Sequence, residues 1–280
     1  MPFAFAASRR ALGALLVSAS LAGLAAPPAS AQGDLLIAPT RLVLDGRRGG
    51  EVILSNVGSE EATYRVTLEL RRMTPEGELE PVDEAGANAT EKAALEMIRY
   101  APRRVTLPPD QPQAVRISAR PAPELPDGEY RVHLSFAAIP KVQPIVAEQP
   151  ASPGGLTINL TPIYGITMPI IVRKGELQVT AALANPRLEP GDEGPAFAVD
   201  ISRSGTASLY GDLLVYRRGN DEPLFIARGL GIYPEIQTRH SVFGISTEQA
   251  AALRGPVRVE FRQPLDDGGS LIAAVDAVLG

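Results

Sequence analysis

The chain has 280 residues with no cysteine, no tryptophan and only two histidines, His133 and His240. Thiolate zinc sites, disulfides and a cysteine nucleophile are thereby excluded, and a multi-histidine metal site or a histidine proton relay lacks its ligands. The 27 basic and 32 acidic residues give a net charge of −5 with both signs interspersed, which argues against a nucleic-acid surface; neither a metal nor a cofactor is expected.

In chain order, Arg9 and Arg10 form a basic start and residues 11–26 an uncharged run rich in Ala and Leu, followed by the small-residue site Ala29-Ser30-Ala31. This predicts a signal peptide over 1–31 with cleavage before Gln32. The run is shorter than the ~20 apolar residues a spanning helix needs. The paired arginines fit an ordinary export signal and a twin-arginine signal alike, so both routes stay open. No cysteine follows the site, which excludes a lipoprotein anchor. Without Arg9 and Arg10 the remaining 249 residues carry 25 basic and 32 acidic groups. The mature chain is expected to be exported and, lacking disulfides, to be held by packing alone.

Period-2 alternation dominates the mature chain. Over residues 63–71 Tyr64, Val66, Leu68 and Leu70 separate without exception from Thr63, Arg65, Thr67, Glu69 and Arg71, the signature of a half-buried antiparallel strand. Comparable runs lie at 35–44, 51–57, 103–107, 113–119 and 129–136, divided by turn signals such as Asp45-Gly46, Pro108-Pro109-Asp110 and Pro126-Asp127-Gly128. A helix is predicted over 90–99, after a loop over 74–88. His133 alternates with Arg131 and Ser135, which reads as an exposed strand position.

Residues 141–155 read as a long loop. A strand over 156–172 comes next, longer than the usual 5 or 6 residues. Its Pro162 and Pro169 cannot donate ladder hydrogen bonds, which places part of it at a sheet edge. An apolar edge invites pairing with another chain or self-association. Strands resume at 177–183, 196–202, 211–216, 224–227, 239–243, 256–261 and 270–278. One helix is predicted over 247–254, with Ser246 as N-cap, Gln249 completing a capping box and Gly255 as its stop. The fold class is therefore all-β, with sandwich-sized units over 32–172 and 173–280.

Several residue patterns then resemble the periplasmic chaperones of the chaperone-usher pathway, which assemble pili and fimbriae. Ala38-Pro39-Thr40-Arg41-Leu42-Val43-Leu44 is similar to the family's first strand, and residues 52–58 to its second, ending in an Asn turn. Residues 103–116, with Pro109, Gln113 and Arg116, look like its turn-and-strand element. Leu125-Pro126-Asp127-Gly128-Glu129-Tyr130 and Ala138-Ile139-Pro140 look like its sixth strand and closing Ile-Pro. The resemblance implies two immunoglobulin-like β-sandwich domains arranged as an L or boomerang. It also implies that the long strand, here 156–168, lends alternate apolar side chains to a pilus subunit with an incomplete immunoglobulin-like fold, and that an outer-membrane usher receives the subunit. On this strand Leu156, Ile158, Leu160 and Tyr164 share a face.

The resemblance further implies an interdomain cleft that anchors the subunit's C-terminal carboxylate. Arg41 fits it, since a guanidinium fork matches a carboxylate bidentately. Arg41 also reads as a strand-end surface residue whose stem covers apolar neighbours. The family's partner lysine has no counterpart: Pro169 stands there, and Arg173 or Lys174 is the substitute offered. Asp266-Asp267-Gly268-Gly269 and Gly191-Asp192-Glu193-Gly194 lack calcium-loop spacing and read as turns. Ser204 to Ser208 lacks a nucleophile elbow. Asn88-Ala89-Thr90 and Asn159-Leu160-Thr161 match the glycosylation acceptor pattern. The leading reading is a non-enzymatic periplasmic pilus chaperone; the alternative is a secreted β-sandwich adhesion or scaffold module.

Overall fold

The computed structural model describes residues 35–141 and 163–280. The expected signal peptide, and Leu156, Ile158 and Leu160 of the long strand, lie outside the described residues. The first alternating segments form β1 (Leu35–Ala38), β2 (Leu42–Leu44), β3 (Gly50–Asn56), β4 (Ala62–Met73), β5 (Leu79–Val82), α1 (Ala89–Met97), β6 (Ile98–Ala101), β7 (Arg104–Leu107), β8 (Pro112–Ala119), β9 (Gly128–Ile139) and β10 (Gly165–Lys174). One sheet runs β1-β3-β8-β6; the facing sheet runs β2-β10-β9-β4-β5, with β7 paired to the start of β4. Their inward residues, among them Leu54, Tyr64, Val66, Val115, Leu134 and Phe136, make one core. At roughly 25 cal/mol per Å² each large side chain there contributes about 1.5–3 kcal/mol.

The second half forms β11 (Val179–Gly191), β12 (Gly194–Gly205), β13 (Leu209–Arg217), β14 (Pro223–Ile232), β15 (Thr238–Gly244), α2 (Thr247–Leu253), β16 (Gly255–Arg262) and β17 (Leu271–Leu279). The sheets are β11-β12-β15 and β14-β13-β16-β17, closed over a second core that includes Phe197, Ile201, Leu213, Val259 and Phe261. The chain is thus all-β, as two sandwiches. Both lie in the single compact unit Gln32–Gly280. A small third cluster of Met73, Ile171 and Tyr233, flanked by Leu79 and Ile236, joins the two.

The predicted cap of α2 forms. Ser246 Oγ accepts from Gln249 N at 3.1 Å and Gln249 Oε1 from Ser246 N at 3.0 Å, closing the box that starts α2. Asn88 and Glu91 build the same box on α1, so Asn88 serves as a helix cap. That helix ends at Met97, earlier than its pattern predicts, because residues 98–101 pair with β8 instead. The predicted loop over 74–88 contains β5, paired with the end of β4. The predicted strand over 35–44 is two strands: β1 pairs β3 in one sheet, the chain crosses through Pro39–Arg41, and β2 pairs β10 in the other. A continuous pattern cannot reveal a change of sheet, because alternation persists on both sides of the crossing.

His133 is the clearest correction: it is buried at 1% exposure, not exposed. Alternation assigns it correctly to the outward row of β9 with Glu129, Arg131 and Ser135. That row is covered, and Glu129 and Ser135 are buried with it.

Candidate functional site

The open stretch of sheet edge belongs to β10. On one side it pairs antiparallel with β9 over its whole length, from Gly165 against Ala137 to Lys174 against Gly128. On the other side only Ile170, Ile171 and Val172 are paired, in parallel, with β2. Among the described residues nothing pairs with that side of Gly165–Pro169. Ala138 N donates to Tyr164 O at 2.9 Å, so by the alternation of an antiparallel ladder the even-numbered residues bond inward to β9 and Gly165, Thr167 and Pro169 face the open edge. Proline is tolerated there because no inward ladder bond is lost. The same strand buries Met168, Ile170 and Val172 in the first core.

Arg41 sits where the open edge stops, one residue before β2 begins. Its guanidinium bridges to the second sandwich: Nη2 donates to Ser208 Oγ at 3.2 Å, and the plane lies 4.5 Å from the centre of the Tyr210 ring. Its Nε is buried without a hydrogen-bond partner. Burial pulls its pKa below the ordinary arginine value; Tyr233 and Glu129 oppose this and the Arg173 charge adds to it. A partly desolvated cation with unused donors gains from any anion that reaches it.

Arg173, at the end of β10, lies in the same cluster but is already engaged. Its Nε donates to Glu129 Oε2 at 3.2 Å. The same oxygen accepts from Ser208 N at 3.1 Å and from Ser208 Oγ at 2.9 Å. The Glu129 side chain is fully buried, and its Oε1 has no partner. The fold therefore brings Arg41 and Arg173, far apart in sequence, to one carboxylate between the sandwiches. Arg173 also lines a cavity of about 350 Å³ with Val43, Leu44, Asp45 and Arg48.

A second interdomain cluster begins two residues along β9. Both terminal nitrogens of Arg131 donate to the Glu235 carboxylate, and its Nη2 also donates to Arg71 O at 2.7 Å. Glu235 Oε1 accepts in addition from Met73 N at 2.8 Å. The Arg131 guanidinium lies 3.6 Å from the centre of the Tyr233 ring. Burial pushes the Tyr233 hydroxyl above the usual tyrosine range. The tip of the β4–β5 hairpin touches the same sandwich, with His240 N donating to Pro75 O at 2.7 Å.

Of the residues predicted from sequence, Tyr164 is about half exposed beside the open edge. Leu156, Ile158 and Leu160 lie outside the described residues. Glu129, Ser208, Tyr210 and Tyr233 are not among the predicted residues. Glu129 carries a weak signal, a carboxylate on the same strand face as Arg131 and His133; the others are recognisable only once the sandwiches are docked. Among the described residues no cluster of His, Asp or Glu could hold a metal.

No protein-family profile matches the chain, and no curated protein matches it in sequence. Among solved structures it is similar to the YadV chaperone, at 12% identity and a TM-score of 0.46, covering 88% of this chain and 100% of that one. It is similar to the CsuC–CsuE chaperone-tip adhesion subunit complex of archaic chaperone-usher Csu pili from Acinetobacter baumannii, at 10% identity and 0.46, covering 88% and 99%. The Pseudomonas aeruginosa CupB2 chaperone gives 14% identity and 0.44, covering 88% and 100%.

Proposed function

We propose that the protein is a periplasmic chaperone of a chaperone-usher system, which completes pilus subunits lacking one strand and delivers them to an outer-membrane usher. One observation carries the reading: an open strand edge that ends at an underused arginine. β2 lies parallel to β10 and starts right after Arg41, so a strand added along Gly165–Pro169 lies in line with β2 and stops at Arg41. Run antiparallel to β10, the strand would bring its N-terminal end to the guanidinium. Run parallel, it brings a C-terminal carboxylate. Charge selects the parallel arrangement.

Magnitudes say how the work is divided. The outward groups of Gly165 and Thr167 and the carbonyl of Pro169 offer hydrogen bonds worth about 1 kcal/mol net each, and the arginine about 1.5–3 kcal/mol. Association costs at least about 4 kcal/mol before anything is gained. The apolar residues Leu156, Ile158 and Leu160, with Tyr164, are therefore required for stable capture, and Arg41 sets register. Between rounds of binding, a second copy can cover the same edge.

The test is co-expression of the mature chain with pilus subunits and purification of the complex. Ile158→Asp and Leu160→Asp each abolish the complex on this reading. Full retention by both variants would sink it, and a concentration-dependent homodimer that ignores subunits would point to an adhesion or scaffold module.

A further inference from the structure

The arginine at the end of the open edge does not face its cavity alone. A cleft of about 610 Å³ between the sandwiches is lined by Arg41, Tyr210, Asp212, Arg228, Asp266 and Asp267, among others. Arg228 comes from β14 and is delivered by a β-bulge. In the β13–β14 ladder Gly211 opposes Leu230 and Leu213 opposes Ala227, so Asp212 alone faces both Arg228 and Gly229. Gly229 has φ +71° and its N donates to Asp212 Oδ1 at 2.9 Å. A Cβ at Gly229 would stand 3.2 Å from the Tyr210 hydroxyl, the same tyrosine that Arg41 stacks on. Under strict alternation Ala227, which packs on the second core, and Leu230, which is buried in it, would fall on opposite faces of the sheet. The bulge keeps both inside and aims Arg228 at the cleft.

The Arg228 side chain is exposed and, among the described residues, makes no hydrogen bond or ion pair. Arg173, by contrast, spends its Nε on Glu129 and lines a different cavity. We infer that the carboxylate site is bipartite, with Arg41 from the first sandwich and Arg228 from the second, so that a bound chain terminus ties the two sandwiches together. This rests on the proposed role of Arg41 as a carboxylate anchor. Asp212 Oδ1 accepts from Gly229 N, a bond that leaves the carboxylate's charge in place. Asp266 and Asp267 line the same cleft, so they weaken its attraction for the anion that the two guanidinium groups hold and oppose a second acidic group beside it.

The probe is an acetyl-capped peptide of alternating valine and threonine with a free C-terminal carboxylate, compared with its C-terminal amide by calorimetric titration of the mature chain. The wild type is expected to bind the acid roughly tenfold tighter than the amide. Arg228→Gln and Arg41→Gln each shrink that ratio several-fold. Arg228→Lys restores part of the ratio, and Asp266→Asn with Asp267→Asn raises acid affinity. An unchanged acid-to-amide ratio in a folded Arg228→Gln variant, with Arg41→Gln still losing it, overturns the bipartite site and spares the anchor. A wild type that does not prefer the acid overturns both.

Discussion

Two arginine–carboxylate clusters join the sandwiches, and they differ in how fully the carboxylate is used. Both oxygens of Glu235 are bonded, by the Arg131 fork and by Met73 N. Glu129 receives all its bonds on Oε2 and leaves Oε1 bare, while Arg41 beside it keeps a buried unpaired Nε. The first cluster spends both oxygens of its carboxylate on the chain itself and acts as a fastener, although the Arg131 Nε is buried without a hydrogen-bond partner just as the Arg41 Nε is. The second carries bonding capacity that the folded chain does not consume, at the point where an open strand edge ends.

Removing the closed cluster's carboxylate is expected to have the largest effect. Glu235→Ala strands the Arg131 guanidinium, whose side chain is 9% exposed, and orphans Met73 N. Loss of one partner of such a pair costs about 3 kcal/mol, read as a fall in urea midpoint. Glu129→Ala is expected to cost less, because Arg173, with its side chain 37% exposed, turns to water. Equal losses would break the distinction between the clusters.

The next effect comes from the position just beyond both carboxylate-cluster residues on the outward row of β9. Burial, then the Arg131 and Arg71 charges, lower the His133 pKa to about 3, against about 6.5 in an unfolded chain. Between those values the unfolded chain takes up a proton that the folded chain refuses. The stability contribution is therefore intact above pH 6.5 and lost as pH falls towards 3, by up to about 1.4 kcal/mol per pH unit. Glu69 and Pro169 stand opposite His133 on the neighbouring strands, Arg71 and Arg131 lie near it, and neither ring nitrogen has a hydrogen-bond partner. Carboxylates add acid sensitivity of the same sign, so the measurement is the difference from His133→Leu. Parallel pH–stability curves for the two proteins between pH 6.5 and 5 would remove the histidine from the account.

This row also separates what is legible in the sequence from what is not. Alternation places Glu129, Arg131, His133 and Ser135 on one face, and it finds the sandwiches; cap chemistry finds the start of α2, and proline the edge character of the strand holding Pro169. All of those are local, set by side-chain period and backbone chemistry. Whether a polar face is wet or covered depends on what packs over it, which for Glu129 and Arg131 is the second sandwich through Ser208 and Glu235, and no local pattern records that. Arg41 stands out in the sequence only as a charge in an apolar run; Ser208, Tyr210 and Arg228 become partners through docking and through a bulge that shifts which side chain faces the cleft.

Smaller effects separate folding from binding in the open cluster. Ser208→Ala removes a hydroxyl that donates to Glu129 and accepts from Arg41, and is expected to cost about 1 kcal/mol. Arg41→Met is expected to change stability least, within about 1 kcal/mol of zero. Its hydrogen bond to Ser208 and its stacking on Tyr210 are lost, but so is the penalty of a partly desolvated guanidinium, and the new side chain still fills the apolar stem's place. The same substitution removes the charge at the end of the open β10 edge that a chain terminus running parallel to the strand would meet first. Unfolding by urea and subunit capture, measured on one preparation, should therefore come apart: an almost unmoved midpoint with loss of the complex. A variant that lost stability and capture in proportion would instead make Arg41 a fastener of the same kind as Arg131.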